Sequence, residues 1–171
     1  PPGPPSLRGK GGDELSSWLA PVDAGMGILR ALPGPQLDWF TGDRFFQQEY
    51  RVTPASNRMG LRLAGEPLGR RPGELVSEAV APGAVQVAND GLPIVLGVDG
   101  QTIGGYPKVA HVIRADLDRL AQIRPGDRVR FVRVTWEEAE TAARARAAAV
   151  RLWLTRLRAA DRAPVPTDIP S

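Results

Sequence analysis

Two adjacent glycines, Gly104-Gly105, are flanked by Gln101 and Thr102 on one side and by Tyr106 and Lys108 on the other. Paired glycines make a tight turn. They also let backbone amides approach a ligand closely, which suits a carboxylate or phosphate, and both uses fit this segment. Lys108 and Lys10 are the chain's two lysines among 22 basic residues, the rest being arginine. A point-like ammonium suits a carboxylate or carbonyl oxygen better than a guanidinium fork does, although retention of one lysine by chance reads equally well. Gln86 and Gln101 fall on strand-like stretches, where a buried amide needs a partner, and an amide or lactam ligand would supply one. Arg58 is placed either to clamp an anion or to pair with a carboxylate. Asp90 and Asp99 are candidate bases or amide-orienting groups, yet Asp90-Gly91 also spells a hairpin turn. His111, beside Val112 in an apolar run, reads first as a barrel histidine and second as a catalyst. Met59 reads as core packing.

Composition closes many alternatives. The 171 residues contain no cysteine and one histidine. A disulfide framework, a thiolate metal site, a cysteine nucleophile and a two-histidine zinc motif are therefore excluded within the chain, and no metal site is expected. The absence of cysteine fits a reducing cytoplasm. A net charge of +3 is too small and too scattered to indicate nucleic acid. No apolar stretch of about 18 residues exists to span a membrane. Phosphate-loop, dinucleotide-binding and serine-elbow motifs are absent, as is the Ala-Met-Lys-Met sequence that accepts biotin. The opening Pro1-Pro2-Gly3-Pro4-Pro5 lacks the basic start and apolar run of a signal peptide. With no initiator Met, the chain reads as a piece of a longer one.

The elements that would position these residues are mainly β. Met26–Leu32 is a short apolar run stopped by Pro33-Gly34-Pro35, and Asp38–Tyr50 reads as a short helix or two turns. Brief strands are predicted at Tyr50–Thr53, Leu61–Leu63, Ala84–Val87, Pro93–Val98, Val109–Ile113 and Val129–Thr135. Short strands with Gly/Pro turns, drawn from 19 glycines and 17 prolines, argue for a closed or sandwiched β architecture. In the last strand Val132, Val134 and Trp136 form one apolar face, and the other face is mixed. Asp116–Ile123 reads as a short helix capped by Asp116. Glu137–Arg162 lacks Gly and Pro and is rich in helix formers, with acids at its start and arginines at its end. Its Val150, Trp153, Leu154 and Leu157 make a stripe expected to dock, leaving Arg144, Arg151 and Arg158 on a solvated face.

Four ordered blocks carry a resemblance. They are Ser56-Asn57-Arg58-Met59-Gly60-Leu61-Arg62-Leu63, then Ser77-Glu78 with Gly83 to Ile94, then Asp99-Gly100-Gln101-Thr102-Ile103-Gly104-Gly105-Tyr106-Pro107-Lys108, and Ala115-Asp116-Leu117 with Pro125-Gly126-Asp127. A looser match extends back to Leu29–Gln36 with Asp38-Trp39-Phe40. This succession resembles the C-terminal half of a family that joins allophanate hydrolase subunit 2, the urea carboxylase carboxyltransferase and the 5-oxoprolinase C subunit. The resemblance implies a cyclophilin-like β-barrel over residues 26–136; the helix at 137–162, read from composition, departs from the family's pattern, and residues 163–171 read as a tail. Residues 1–25 would be a linker, the remnant of an N-terminal half that full-length members carry.

The family's chemistry, by the same resemblance, is ATP-dependent hydrolysis of an amide or lactam such as 5-oxoproline. The alternative is carboxyl transfer to urea from biotin carried on a partner domain. Under that resemblance Gln101, Tyr106, Lys108 and Asp90 would be catalytic, and Arg58, Gln86, Thr102, Gly104 and Gly105 would bind substrate. ATP would act at the level of the complex. A paralogous cyclophilin-like subunit of the 1/B type and a lactam-hydrolase subunit would be partners, and neither nucleic acid nor membrane would be. A non-catalytic reading also follows, as a regulatory module binding a paralogous subunit, in the manner of the antagonist of a sporulation-kinase inhibitor.

Overall fold

Leu29 and Ala31 lie two residues apart on the first strand, so both side chains point to the same face. In the computed structural model, which describes residues 26–161, both are fully buried. The linker and tail expected at the two ends lie outside the described residues. Nine strands form: β1 (Met26–Pro33), β2 (Glu49–Val52), β3 (Gly60–Ala64), β4 (Glu78–Ala79), β5 (Ala84–Val87), β6 (Pro93–Leu96), β7 (Ile103–Gly104), β8 (Lys108–Val112) and β9 (Arg128–Arg133). Seven of them close a barrel in the order β1-β8-β5-β6-β3-β2-β9, and β4 and β7 pair separately as a two-stranded ribbon. The helices are α1 (Arg44–Gln47), α2 (Leu117–Leu120) and α3 (Trp136–Asp161), with 3-10 turns at Leu37–Trp39 and Arg114–Asp116. The mainly β, closed-barrel reading with a long C-terminal helix therefore holds. No helix among the described residues is long and apolar enough to cross a membrane.

The barrel closes through a parallel pairing of β1 with β9, Met26 opposite Arg128 through Ala31 opposite Arg133. Inside, Phe45, Tyr50 and Phe131 form an aromatic cluster, with the Phe45 and Phe131 centroids 4.6 Å apart. Valines from β2, β5, β6, β8 and β9 complete the core.

One open choice is settled and two expectations are corrected. On β9 the buried face is Val129 and Phe131, whereas Val132 is 41% and Trp136 70% exposed. Alternation alone is symmetric. The decision comes from register, which sets Val129 beside buried Tyr50 and Phe131 beside buried Leu29. Asp116 does not cap α2 with its side chain. Its carboxylate instead accepts from Arg30, at 2.8 Å from the backbone N, 3.0 Å from Nε and 2.6 Å from Nη2.

The second correction concerns α3. Its start carries a capping box, with the Glu138 N–H donating to Thr135 Oγ1 at 3.2 Å and the Thr135 N–H to Glu138 Oε2 at 2.7 Å. Docking occurs through small residues near that start, Ala139 and Ala142, against Ile113 and Ala115. The stripe expected to dock does not: Val150, Trp153, Leu154 and Leu157 are 40–49% exposed. At 26 residues the helix is about 39 Å long, and its core contacts lie near its start while Val150 to Leu157 stay exposed. Arg144 is solvated as expected and pairs with Glu140 at 2.5 Å.

This packing makes two outcomes measurable. Asp116→Ala removes the acceptor of three Arg30 donors from a fully buried position. It is expected to lower unfolding free energy by roughly 3 kcal/mol in chemical denaturation. Burial holds the His111 imidazole below its ordinary value of 6.5, so the folded protein keeps it neutral while the unfolded chain takes up a proton. Stability should therefore fall as pH drops through about 6.5, by up to about 1.4 kcal/mol per unit, and level off below the folded value. Denaturation midpoints of the wild type and His111→Gln between roughly pH 7.5 and 5.5 test this, the variant losing that slope.

Candidate functional site

Directly opposed residues of antiparallel strands share one face of a sheet. Arg62 on β3 is opposite Ile94 on β6, Ile94 is opposite Gln86 on β5, and Gln86 is opposite Lys108 on β8. The four make a row across the wall. Leu63, Val85, Val87, Val95 and Val109, beside them in sequence, fill the interior, so the row belongs to the outer face. A register shift between Val85 and Gln86 seats Gln86 opposite Lys108.

The β4–β7 ribbon covers part of this row. Glu78 is opposite Gly104 in the ribbon, and Gly104 lies on the Gln86 amide. A Cβ at Gly104 would stand 2.4 Å from Gln86 Nε2 and 3.0 Å from Gln101 Nε2, so only glycine permits this approach. Gly105 has no such need, since its nearest neighbour would be Ser77 Oγ at 3.4 Å. Gln86 is 1% exposed, and its Nε2 donates to the Tyr106 carbonyl at 3.3 Å.

A cavity of about 140 Å³ opens beside the ribbon, lined by Asn57, Met59, Arg62, Gln86, Gln101 and Tyr106 among others. Three of the residues singled out in the sequence therefore converge there: Gln86, Gln101 and Tyr106. Met59, expected in the core, is 53% exposed and forms part of the cavity rim. A larger, mostly apolar cavity of about 380 Å³ adjoins it, lined by Pro82, Leu96, Leu117 and Leu120, with Arg58 also on its wall.

Lys108 stands next to the cavity without lining it. Its ammonium donates to Glu78 Oε2, Glu78 Oε1 accepts from Gln36 Nε2 at 3.2 Å, and Gln36 Oε1 accepts from the Lys108 N–H at 3.0 Å. The Lys108 hydrogen bond, foremost, and that of Gln36 hold the Glu78 carboxyl below its ordinary value. This network ties the end of β1, the ribbon and β8 together.

The remaining expected residues lie elsewhere. Asp90 sits in the β5–β6 turn, where its Oδ1 accepts from the Leu92 N–H at 2.9 Å and Gly91 takes φ +78°. The turn reading is the one realised. Arg58 is exposed and pairs with Asp99 at 3.3 Å. Thr102 is exposed, and its carbonyl accepts from the Val80 N–H at 2.9 Å. His111 lies on β8, half-buried. Residues not singled out, Asn57 and Arg62 in the cavity and Gln36 and Glu78 in the network, complete the arrangement. Their partners are 30 to 72 residues distant in sequence for the network, so only the quoted blocks hinted at them.

The family model described as carboxyltransferase domain, subdomain A and B, matches residues 4–133. The 5-oxoprolinase C subunit of Escherichia coli K12 is 46% identical over 115 residues, which cover 65% of this chain and 37% of that protein. The 5-oxoprolinase C subunit of Haemophilus influenzae is 41% identical over 116 residues, covering 66% and 38%. Among solved structures, the urea amidolyase of K. lactis superposes with a TM-score of 0.67 at 25% identity, over 73% of this chain and 8% of that one. The chain thus spans less than two fifths of the length of these two curated relatives. By its barrel, its ordered sequence blocks and the extent of the family match, the chain belongs to the carboxyltransferase domain family, subdomain A and B.

Proposed function

We propose that this chain is the amide-binding part of a protein of the 5-oxoprolinase C-subunit type and contributes to ATP-dependent ring opening of 5-oxoproline to glutamate. The single observation that carries the reading is the small cavity walled by Gln86, Gln101 and Tyr106. The 46% identity to a 5-oxoprolinase C subunit supports 5-oxoproline as its substrate. Opening an amide puts negative charge on the carbonyl oxygen, and donors fixed in advance around that oxygen lower the barrier. The Gln101 amide and the Tyr106 hydroxyl are the donors proposed for it. Lys108, with its ammonium on Glu78, acts as a positioning residue that seats the ribbon over Gln86.

A cavity of about 140 Å³ with one lining guanidinium fits a small amide and does not fit a nucleoside triphosphate. ATP is proposed to act at the level of the complex, where it would activate the amide oxygen. The proposed partners are a paralogous subunit of the 1/B type and a lactam-hydrolase subunit. The fold match to urea amidolyase supports a second reading, in which the same side-chain amides hold urea while a urea nitrogen accepts the carboxyl group that biotin on a partner domain would supply.

The test is glutamate release from 5-oxoproline by the full-length protein produced together with its partners. Gln101→Ala is expected to lower kcat/KM about tenfold or more. Gly104→Ala should do the same by displacing the Gln86 and Gln101 amides, and should cost about 1 kcal/mol of stability. Lys108→Ala and Glu78→Gln should lower activity alike, and the double variant should be no worse than either single one. A Glu78→Gln protein that stays fully active while Lys108→Ala is dead would make Lys108 a direct participant instead. Unchanged rates for all four variants in an assembled complex would remove the site assignment, and ATP-dependent turnover of urea alone would favour the carboxylase reading.

A further inference from the structure

Arg62 is the charged residue of the cavity wall, and no Asp or Glu lines that wall. Arg30, Arg44, Arg58, Arg71, Arg128 and Arg133 each sit on a carboxylate. Arg62 is exposed and, like Arg51, Arg70, Arg114, Arg124 and Arg130, belongs to none of the carboxylate pairs of the described residues; what sets it apart is its place in the cavity wall. Its backbone is well anchored, the N–H donating to Ser56 Oγ at 2.9 Å and the carbonyl accepting from the Thr53 N–H at 2.9 Å. The guanidinium itself is committed to nothing among those residues.

The other polar groups of the cavity have their free valences in a definite pattern. Asn57 uses Oδ1 to accept from the Met59 N–H at 2.9 Å, which leaves its amide hydrogens to offer. Gln86 uses Nε2 on the Tyr106 carbonyl, which leaves Oε1 as an acceptor in a side chain that is 1% exposed. Gln101 and the Tyr106 hydroxyl can donate. The complement of this set has an anionic group for Arg62 and Asn57, an N–H for Gln86, and a carbonyl oxygen for Gln101 and Tyr106.

We infer that Arg62 reads a carboxylate on the substrate, so that the site selects a small lactam or amide acid over a neutral amide. This rests on the amide-binding reading above and narrows it. An arginine fork matches a carboxylate in two parallel hydrogen bonds, and a neutral amide would leave the guanidinium without its anion while losing nothing at Gln86. Urea offers N–H and carbonyl groups but no carboxylate, so this cavity discriminates against it.

The experiment titrates the 171-residue chain and its Arg62→Met and Arg62→Lys variants with 5-oxoproline, with the neutral lactam 2-pyrrolidinone and with urea. Side-chain amide shifts of Gln86 and Gln101 in NMR report binding. The same variants are then assayed for turnover in the full complex. Arg62→Met is expected to weaken 5-oxoproline binding about ten- to hundredfold and to raise KM by a similar factor with less effect on kcat. Arg62→Lys should recover part of the loss, and 2-pyrrolidinone should bind weakly and equally to all three. A wild-type chain that does not bind 5-oxoproline, or an Arg62→Met affinity within about twofold of wild type, overturns the inference. So does urea binding more tightly than 5-oxoproline. Arg62-dependent binding of 5-oxoproline without turnover in the complex would uphold Arg62 as the carboxylate reader and remove the hydrolase reading. Turnover that ignores Arg62 would do the reverse.

Discussion

A barrel of seven strands cannot close with every neighbour antiparallel, because alternating directions around an odd ring meet once in the same sense. Here the unavoidable parallel pair is β1 with β9, held over six residue pairs. Arg30, opposite Val132 in the seam, is also the residue gripped by Asp116 at three points, so the turn leading into α2 is fastened where the ring closes. A carboxylate with no exposed surface is tolerable only with such complete pairing. Its loss would loosen the seam as well as the turn.

The same economy governs the outer wall. Strand pairing delivers one residue each from β3, β6, β5 and β8 to a single row, and a two-residue ribbon then covers part of it. A ladder that short has little stability of its own. Its seat comes from Glu78, which receives hydrogen bonds from Lys108 and Gln36, and from the close contact of Gly104 with the Gln86 amide. Burying polar groups costs unless each finds a partner. Gln36, Glu78 and Lys108 satisfy one another in a chain, which makes the ribbon's position a property of three side chains at once.

Much of this was legible from residue types. Ala84–Val87 reads as a strand from its apolar run, and β5 has those bounds. The barrel, the long helix and the convergence of Gln86, Gln101 and Tyr106 were likewise open to reading, the last through the ordered blocks. Periodicity could not find β4 and β7, because two residues have no period. Nor could it choose which face of β9 points inward, since Val129/Phe131 and Val132/Val134 are equally apolar and only the partners Leu29 and Tyr50 decide. Asp116 before a helix looks like a cap, and its true partner lies 86 residues away. Asp90 and Arg58 carry the right chemistry in the right neighbourhood of sequence, yet hairpin geometry turns one into a turn former and an adjacent carboxylate occupies the other. Arg62 was hidden for the opposite reason: an arginine in an arginine-rich chain draws no notice until its place in the cavity wall is seen.

The near-absence of lysine has a practical side. Of the two primary-amine side chains, Lys10 lies outside the described residues, and Lys108 is 11% exposed with its ammonium on Glu78. Guanidinium groups do not react with amine-directed acylating reagents under mild conditions. The chain therefore offers a native chemical reporter: acylation of Lys108, resolved by peptide mapping from that of Lys10 and the α-amine, needs its nitrogen free of Glu78, so its rate follows how often that contact opens.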